Sequence, residues 1–421
     1  MDRETGKQFI INPAQQVYGQ NEVEAIKAVA ESGFWAEGPK ALEFRRELAE
    51  YLGIKYVTLV NSGSSANLAA LMSLTTSYIP EDRRIKAGHE VITTALSFPT
   101  TVSPIKHAGC IPVFVDVDPD TWNIDINQVE EMITENTKAI MVAHNLGNPF
   151  NLDAIMSIAD AHGLWVIEDN CDSLGSEWNN RKTGTMGHIG TSSFYPAHHI
   201  STGEGGALYT NDPTIFRSIR SMVNWGRDCW CAPGQDNTCN KRYQQQFGTL
   251  PEGYDHKNTY TELGFNFKMT DLQAAIGVEQ LKRLPDFVDK RKRNHRLLLD
   301  YFSAYEGWFD LPQALPQADP SWFGYVVKLT ENAPFDKQTM IDYLQDKGIR
   351  SRAFFAGNMT RQPAIHNRDI EYKKHDSLDV CDDIMNNAFW IGVHPAIDSE
   401  QMKYMQYVLS NFLTNNHVDN R

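Results

Sequence analysis

The sequence predicts an α/β protein with a mostly parallel sheet covered by helices on both faces, followed by a smaller α+β portion. Two observations carry this. From about residue 20 to 285, short apolar runs alternate with helical segments, the pattern of strands buried on both faces and joined by crossover helices. From about residue 290 that alternation stops. A chain of 421 residues suffices for two or three structural units. We divide it into a large portion, 1–285, and a small portion, 286–421.

The elements follow in order. NEVEAIKAVAESG has the spacing of an amphipathic helix, and KALEFRRELAEYLG reads as a second, ended by Gly53. YVTLV is a buried-strand candidate leading into NSGSSANLAALMSL, a Gly/Ser turn and then a helix. HEVITTAL, CIPVFVDVD, KAIMVAHNL and LWVIEDN are further strands. Residues 226–260 are polar, aromatic and turn-rich; a stretch of this length without elements is usually functional or held by something else. MTDLQAAIGVEQLKRLPDFVDKRKRNHRLLLDYFSAY reads as long helix with a break at its proline. VVKL, DKQTMIDYLQDKGI and a terminal helix from about Ser399 make up the small portion.

Composition excludes some partners. The net charge is -14, so nucleic acid is not expected, because binding a phosphate backbone needs clustered Lys and Arg. A phosphorylated small molecule needs only a local positive pocket. No apolar run is long enough to span a bilayer, and MDRETGKQFIINPAQQ has no apolar leader segment. A cytoplasmic location is the expectation, and cysteines there bind metal or do redox chemistry more often than they form disulfides.

Three segments carry residues suited to chemistry. Asn61-Ser62-Gly63-Ser64-Ser65-Ala66-Asn67 lies between a strand and a helix, where free N–H groups and hydroxyls face an anion; serine there also serves as a plain helix cap. Asp169 ends an apolar strand, the place where α/β sheets put ligand-binding groups, and a carboxylate there can pair with a protonated ring nitrogen. It also suits a helix cap. In SSFYPAHHISTGEGGALYTND, a strand ends at Phe194-Tyr195 and a compact loop carries His198, His199 and Glu204-Gly205-Gly206.

Together these motifs resemble the DegT/DnrJ/EryC1/StrS sugar aminotransferase family of fold-type I pyridoxal-phosphate enzymes. The likeness extends over FWAEGPKALEFRRELAEYLG, VNSGSSANLAAL, FVDVDPDTWNID, VIEDNCDSLGS, FYPAHHISTGEGG and ELGFNFKMTDLQAAIG, nearly the whole chain. It implies the fold-type I architecture and a bound B6 cofactor. The family holds its cofactor on a lysine in a loop resembling F-x-P-x-K-x-h-x-T-G-E-G-G, and here that lysine falls on His198. Imidazole forms no Schiff base but accepts a proton. The cofactor is therefore expected to sit noncovalently, as pyridoxamine phosphate. A histidine at this place is similar to the sugar 3-dehydrases of the family. In these the cofactor amine condenses with the ketone of a nucleotide-linked 4-keto-6-deoxyhexose, the histidine takes a proton from the cofactor, and the C3 hydroxyl leaves.

The resemblance assigns further roles. Asp169 would keep the ring nitrogen protonated. Ser64, Ser65 and Ser193 would contact the phosphate, and Phe98 would stack on the ring. Asn266 would reach the phosphate of a neighbouring subunit, implying a homodimer. Asp172, Tyr195 and Phe323 fall where dehydrases differ from aminotransferases; a turn aspartate, a packed tyrosine and a core phenylalanine are the ordinary alternatives. Arg350, Arg352 and Arg361 are candidates for a nucleotide diphosphate or for solvated surface charge.

Cys171, Cys229, Cys231 and Cys239 read C-x57-C-x-C-x7-C. Three thiols in eleven residues suggest a metal site, with zinc as the alternative to iron. The pattern resembles the iron–sulfur branch of the 3-dehydrases. That branch implies a [2Fe–2S] cluster, an NADH-dependent flavin/iron–sulfur reductase as electron donor, and a CDP-linked substrate of 3,6-dideoxyhexose biosynthesis. Cys110 and Cys381 read as core thiols.

Overall fold

The structure, a computed structural model, describes residues 9–418 apart from 233, 306 and 369. The start of the segment read above as leaderless, residues 1–8, lies outside the described residues. Three sheets are present among the described residues. The largest contains β1 (Tyr56–Val60), β2 (Glu90–Thr94), β3 (Ile111–Val115), β4 (Thr137–Ala143), β5 (Trp165–Asp169), β8 (Ile189–Ser193), β9 (Gly206–Thr210) and β14 (Lys373–Lys374). A three-stranded sheet joins β6 (Glu177–Trp178), β7 (Arg181–Lys182) and β11 (Ala318–Asp319). A four-stranded sheet joins β10 (Phe309–Asp310), β12 (Gly324–Leu329), β13 (Ser351–Ala353) and β15 (Ala388–Gly392).

The large sheet runs β1-β9-β8-β5-β4-β2-β3-β14. Its pairings are parallel except those of β9, which runs against both neighbours. Every residue of β2, β5, β8 and β9 is buried, as a sheet covered on both faces requires. Alternation along β5 shows both faces at once. Ile167 packs with Leu71, Ile105 and Ile219 from helices on one side, and Val166 with Phe150 and Ile155 on the other.

The helix Asp271–Phe302 opens with a capping box between Thr270 and Gln273. It runs unbroken through Pro285, so the break read from the sequence does not occur. Pro285 lies on the exposed side of the helix, where water can satisfy the carbonyl that proline leaves without a donor. This helix crosses the division at 285/286. Two other segments cross it as well. Ile11 packs in the C-terminal core with Leu298, Phe302, Tyr325 and Phe389, and β14 extends the edge of the large sheet beside β3.

Among its described residues the 226–260 segment holds a short 3-10 turn, His256–Asn258, and an isolated antiparallel bridge between Arg227 and Tyr260. It is pinned by Asp228, whose carboxylate accepts from Tyr78 Oη at 2.7 Å and Arg217 Nη2 at 2.9 Å and meets His256 Nε2 at 2.7 Å.

Candidate active site

The carboxyl ends of β4, β5 and β8 open into a cavity of about 860 Å³. Asp169, the last residue of β5, is buried in its wall. Its Oδ2 accepts from Asn67 Nδ2 and Thr101 Oγ1, both at 2.7 Å, and its Oδ1 from the Cys171 N–H at 3.2 Å. All three donors are neutral, and no Lys, Arg or His forms an ion pair with Asp169 among the described residues. A buried carboxylate so oriented, and lacking a cation, suits a protonated ring nitrogen.

The next wall is the turn into the helix Gly63–Ser73. Ser62 caps it, its Oγ accepting from the Ser65 N–H at 3.0 Å. Gly63 and Ser64 line the cavity with their N–H groups unclaimed by the cap, and Ser193 faces them from the end of β8. The approach is close: a Cβ on Gly63 would lie 2.4 Å from Ser193 Cβ. A turn of this kind at a helix start suits an anion. Ser65 turns back toward Ser62 and does not line the cavity. Phe98, half-exposed, lines another side with its ring edge-on to Phe355 at 6.5 Å.

His198, in the loop after β8, lines the same cavity. Its Nδ1 is 3.2 Å from Asp172 Oδ1, an ion-pair distance without hydrogen-bond alignment. Burial raises the Asp172 carboxyl above its usual range, and the His198 ring opposes that shift. Phe323 packs against the imidazole, ring centroids 5.3 Å apart. Tyr195 stands at the rim, half-exposed. No lysine lines the cavity among the described residues. Lys182 pairs with Glu177 at 2.6 Å, and Lys268 lines a different cavity.

Sequence reading missed Arg291. It is buried, donates from Nη2 to the His198 carbonyl at 3.3 Å and from Nη1 to the Phe323 carbonyl at 3.0 Å. Burial pushes its guanidinium down to about 10, with Asp172 opposing. Thr101 was missed too, and Asn67 was read as part of the Gly/Ser turn and not as a donor to Asp169. Of the three C-terminal arginines, Arg352 lines the cavity. Arg361 pairs with Asp382 at 3.2 Å, and Arg350 donates to Asn12 Oδ1 at 3.2 Å.

Other expected residues are not brought together. Asn266 is exposed, bridges to Asn224 and does not line this cavity. Cys171 lines it, against Gly63, while Cys229 and Cys231 line a second cavity and Cys239 lies 3.5 Å from His256 Nδ1. No group of three or more His, Cys, Asp or Glu side chains among the described residues is placed to hold a metal ion. The four cysteines therefore do not form a ligand set as they stand.

A family model described as the DegT/DnrJ/EryC1/StrS aminotransferase family matches residues 16–410. The chain belongs to this family. The lipopolysaccharide biosynthesis protein RfbH of Salmonella typhimurium is 45% identical over 403 residues, covering 96% of this chain and 91% of that protein. The dTDP-4-dehydro-2,6-dideoxy-D-glucose 3-dehydratase of Saccharopolyspora spinosa is 43% identical over 403 residues, covering 96% of this chain and 86% of that protein. The solved structure of the E. coli GDP-4-keto-6-deoxy-D-mannose-3-dehydratase with bound hydrated PLP has a TM-score of 0.85 and 29% identity, covering 96% of this chain and 100% of that one. The fold is that of the PLP-dependent aminotransferases. No helix of the described residues is long and apolar enough to cross a membrane.

Proposed function

We propose that this family member removes the C3 hydroxyl, as water, from a nucleotide-linked 4-keto-6-deoxyhexose, with pyridoxamine phosphate as cofactor and His198 as the base. One observation carries the reading. The cavity pairs a cation-free buried carboxylate with an imidazole and holds no lysine among its described residues. When bound, the cofactor would supply an amine for the sugar ketone and a ring that accepts electrons.

The chain's own residues do the rest. Asp169, fixed by Asn67 and Thr101, holds the ring nitrogen's proton. Gly63, Ser64 and Ser193 seat the phosphate. Asp172 faces His198 Nδ1, which leaves Nε2 to take a proton and return it to the departing hydroxyl. Phe323 packs on the imidazole and keeps water from that side. Arg352 lines the cavity and forms no ion pair among the described residues, which supports a role on the nucleotide diphosphate.

Finer parts of the reading rest on the cysteine spacing and on the relatives. A CDP-linked 4-keto-6-deoxyglucose of the 3,6-dideoxyhexose branch as substrate rests on the resemblance of the cysteine pattern, and a place in lipopolysaccharide biosynthesis draws support from the 45% identity to RfbH. A dTDP-linked substrate is the second reading, favoured by the 43% identity to the Saccharopolyspora spinosa enzyme. A [2Fe–2S] cluster on Cys171, Cys229, Cys231 and Cys239, reduced by an NADH-dependent flavin/iron–sulfur reductase, is proposed from the resemblance of the cysteine pattern to the iron–sulfur branch of the family, with zinc as the alternative metal. A homodimer, with Asn266 reaching the partner's cofactor, and a cytoplasmic location complete the proposal.

The test is anaerobic incubation of CDP-, dTDP- and GDP-4-keto-6-deoxy sugars with the protein, pyridoxamine phosphate and a chemical reductant. Loss of the C3 oxygen from one of them is expected, together with iron in the purified protein. Amino-sugar formation without C3 loss, or a cofactor–lysine adduct, would overturn the dehydration; zinc without iron would overturn the cluster alone.

A further inference from the structure

Arg291, on the helix Asp271–Phe302, is 1% exposed. Its sequence neighbours have ordinary partners: Lys290 pairs with Asp286 and Lys292 with Asp319. Arg291 forms no ion pair among the described residues. Taking a guanidinium out of water costs free energy that only well-placed partners offset. A methionine at the same place would incur no such cost, so the charge and the donors of Arg291 call for a use.

The donors go to backbone. Nη2 donates to the His198 carbonyl at 3.3 Å, and Nη1 donates to the Trp322 carbonyl at 3.3 Å and the Phe323 carbonyl at 3.0 Å. One side chain thus joins two segments far apart in sequence. The first is the loop that carries His198. The second leads into β12, and its Phe323 ring packs 5.3 Å from the imidazole and 5.9 Å from the guanidinium. The negative charge that acts on Arg291 belongs to Asp172, the carboxylate 3.2 Å from His198 Nδ1.

The second segment is strained at the point where Arg291 holds it. Trp322 has a φ of +40°, a left-handed conformation that costs a bulky residue energy and persists only where the surroundings fix it. On its N–H side it is pressed against Gly147, where a Cβ would lie 2.8 Å from Trp322 N, and the Phe323 N–H donates to the Leu146 carbonyl at 2.8 Å. The indole stacks on His295, ring centroids 3.8 Å apart, on the same face of the helix as Arg291. Arg291 holds the carbonyl side.

We propose that Arg291 is a positioning residue: through three backbone carbonyls it fixes His198 and the Phe323 ring against each other, so that the imidazole keeps one orientation in the cofactor cavity. The role rests on the reading of His198 as the base.

The test compares Arg291→Met and Arg291→Lys with the unmodified protein in turnover of the 4-keto sugar. The cofactor is supplied as ordinary pyridoxamine phosphate and as the form deuterated at the carbon that bears the amine. Arg291→Met is expected to lower kcat by about tenfold to a hundredfold, the cost of a slightly misplaced group, with KM within about twofold. The deuterium isotope effect should rise, because proton removal by a misplaced base becomes slower relative to the other steps. Arg291→Lys keeps the charge but offers one point donor group to three carbonyls, and recovers part of kcat. A second readout needs no turnover: in a His198→Lys background, Arg291→Met slows formation of the pyridoxal-phosphate adduct at residue 198. Melting temperatures certify folding, and if Arg291→Met does not fold, the same measurements on Arg291→Lys decide. An unchanged isotope effect or an unchanged rate of adduct formation in a folded variant overturns the proposal, as does the absence of any adduct at residue 198. His198→Asn with full turnover would instead overturn the base, leaving adduct formation to judge Arg291.

Discussion

At the residue scale, the chemistry turns on which side chain occupies position 198. His198→Asn keeps the size of the side chain but removes the titrating nitrogen. Turnover of the 4-keto sugar is expected to fall by about 10²- to 10⁴-fold, the range of a positioned acid–base group, while cofactor binding, read by absorbance, stays near wild type. His198→Lys introduces a primary amine into a cavity whose described lining has none. With pyridoxal phosphate it is expected to give a borohydride-reducible adduct at residue 198, seen by peptide mass; an unmodified peptide would show that the position does not face the cofactor. Asp169 was legible as a residue, because it ends an apolar strand. Its supports were not. Asn67 and Thr101 come from two other helices, and nothing local marks their side chains as partners of a distant carboxylate. Arg291 was hidden for the same reason: it reads as one of several helix charges until the fold buries it against three carbonyls, those of His198, Trp322 and Phe323.

At the element scale, two features set the geometry. The first is the contact of the helix start at Gly63 with the end of β8. Gly63→Ala forces a methyl to within 2.4 Å of Ser193 Cβ. A stability loss of about 1–3 kcal/mol is expected, with weaker cofactor binding because the turn itself must shift; thermal melts and cofactor titration check both. The second is Glu168 on β5, fully buried. It meets His144 Nε2 at 3.0 Å and accepts the Gly184 N–H at 2.7 Å and the Met186 N–H at 2.8 Å. Burial alone would raise its carboxyl, but these partners outweigh burial and hold it below the usual glutamate range. A depressed folded value means stability that is present above about pH 4.5, the ordinary value, and lost as pH falls through the folded one. Glu168→Gln is expected to cost about 2 kcal/mol at neutral pH and to flatten the acid limb of the stability curve. An unchanged acid limb in urea melts would contradict this.

The strands of the large sheet were legible because being buried on both faces writes a continuous apolar run. The reversal of β9 was not, since direction leaves no mark on such a run. The two-residue β14 is too short to leave a pattern. The division of the cysteines was equally hidden, because C-x57-C-x-C-x7-C gives separations along the chain and says nothing of which cavity each thiol lines.

At the scale of the whole molecule, the two portions are interlocked. Ile11 fills the C-terminal core, β14 completes the large sheet, and the helix Asp271–Phe302 serves both. Residues 286–421 expressed alone lack Ile11, half of that helix and the sheet that β14 joins. They are expected to show no cooperative thermal transition by circular dichroism; a sharp melt would mean that the small portion folds by itself.

The missing lysine also has a consequence for how the protein keeps its cofactor. A covalently held cofactor stays with its enzyme through dilution. A noncovalent one obeys mass action: it adds RT ln(1 + [L]/Kd) to the folding free energy, about 2.7 kcal/mol at a hundredfold excess over Kd. The melting temperature should therefore climb with the logarithm of free pyridoxamine phosphate, and dialysis should return it to the unliganded value. The protein would then act as a gauge of the free vitamin pool around it, sturdy in abundance and the first to unfold in scarcity.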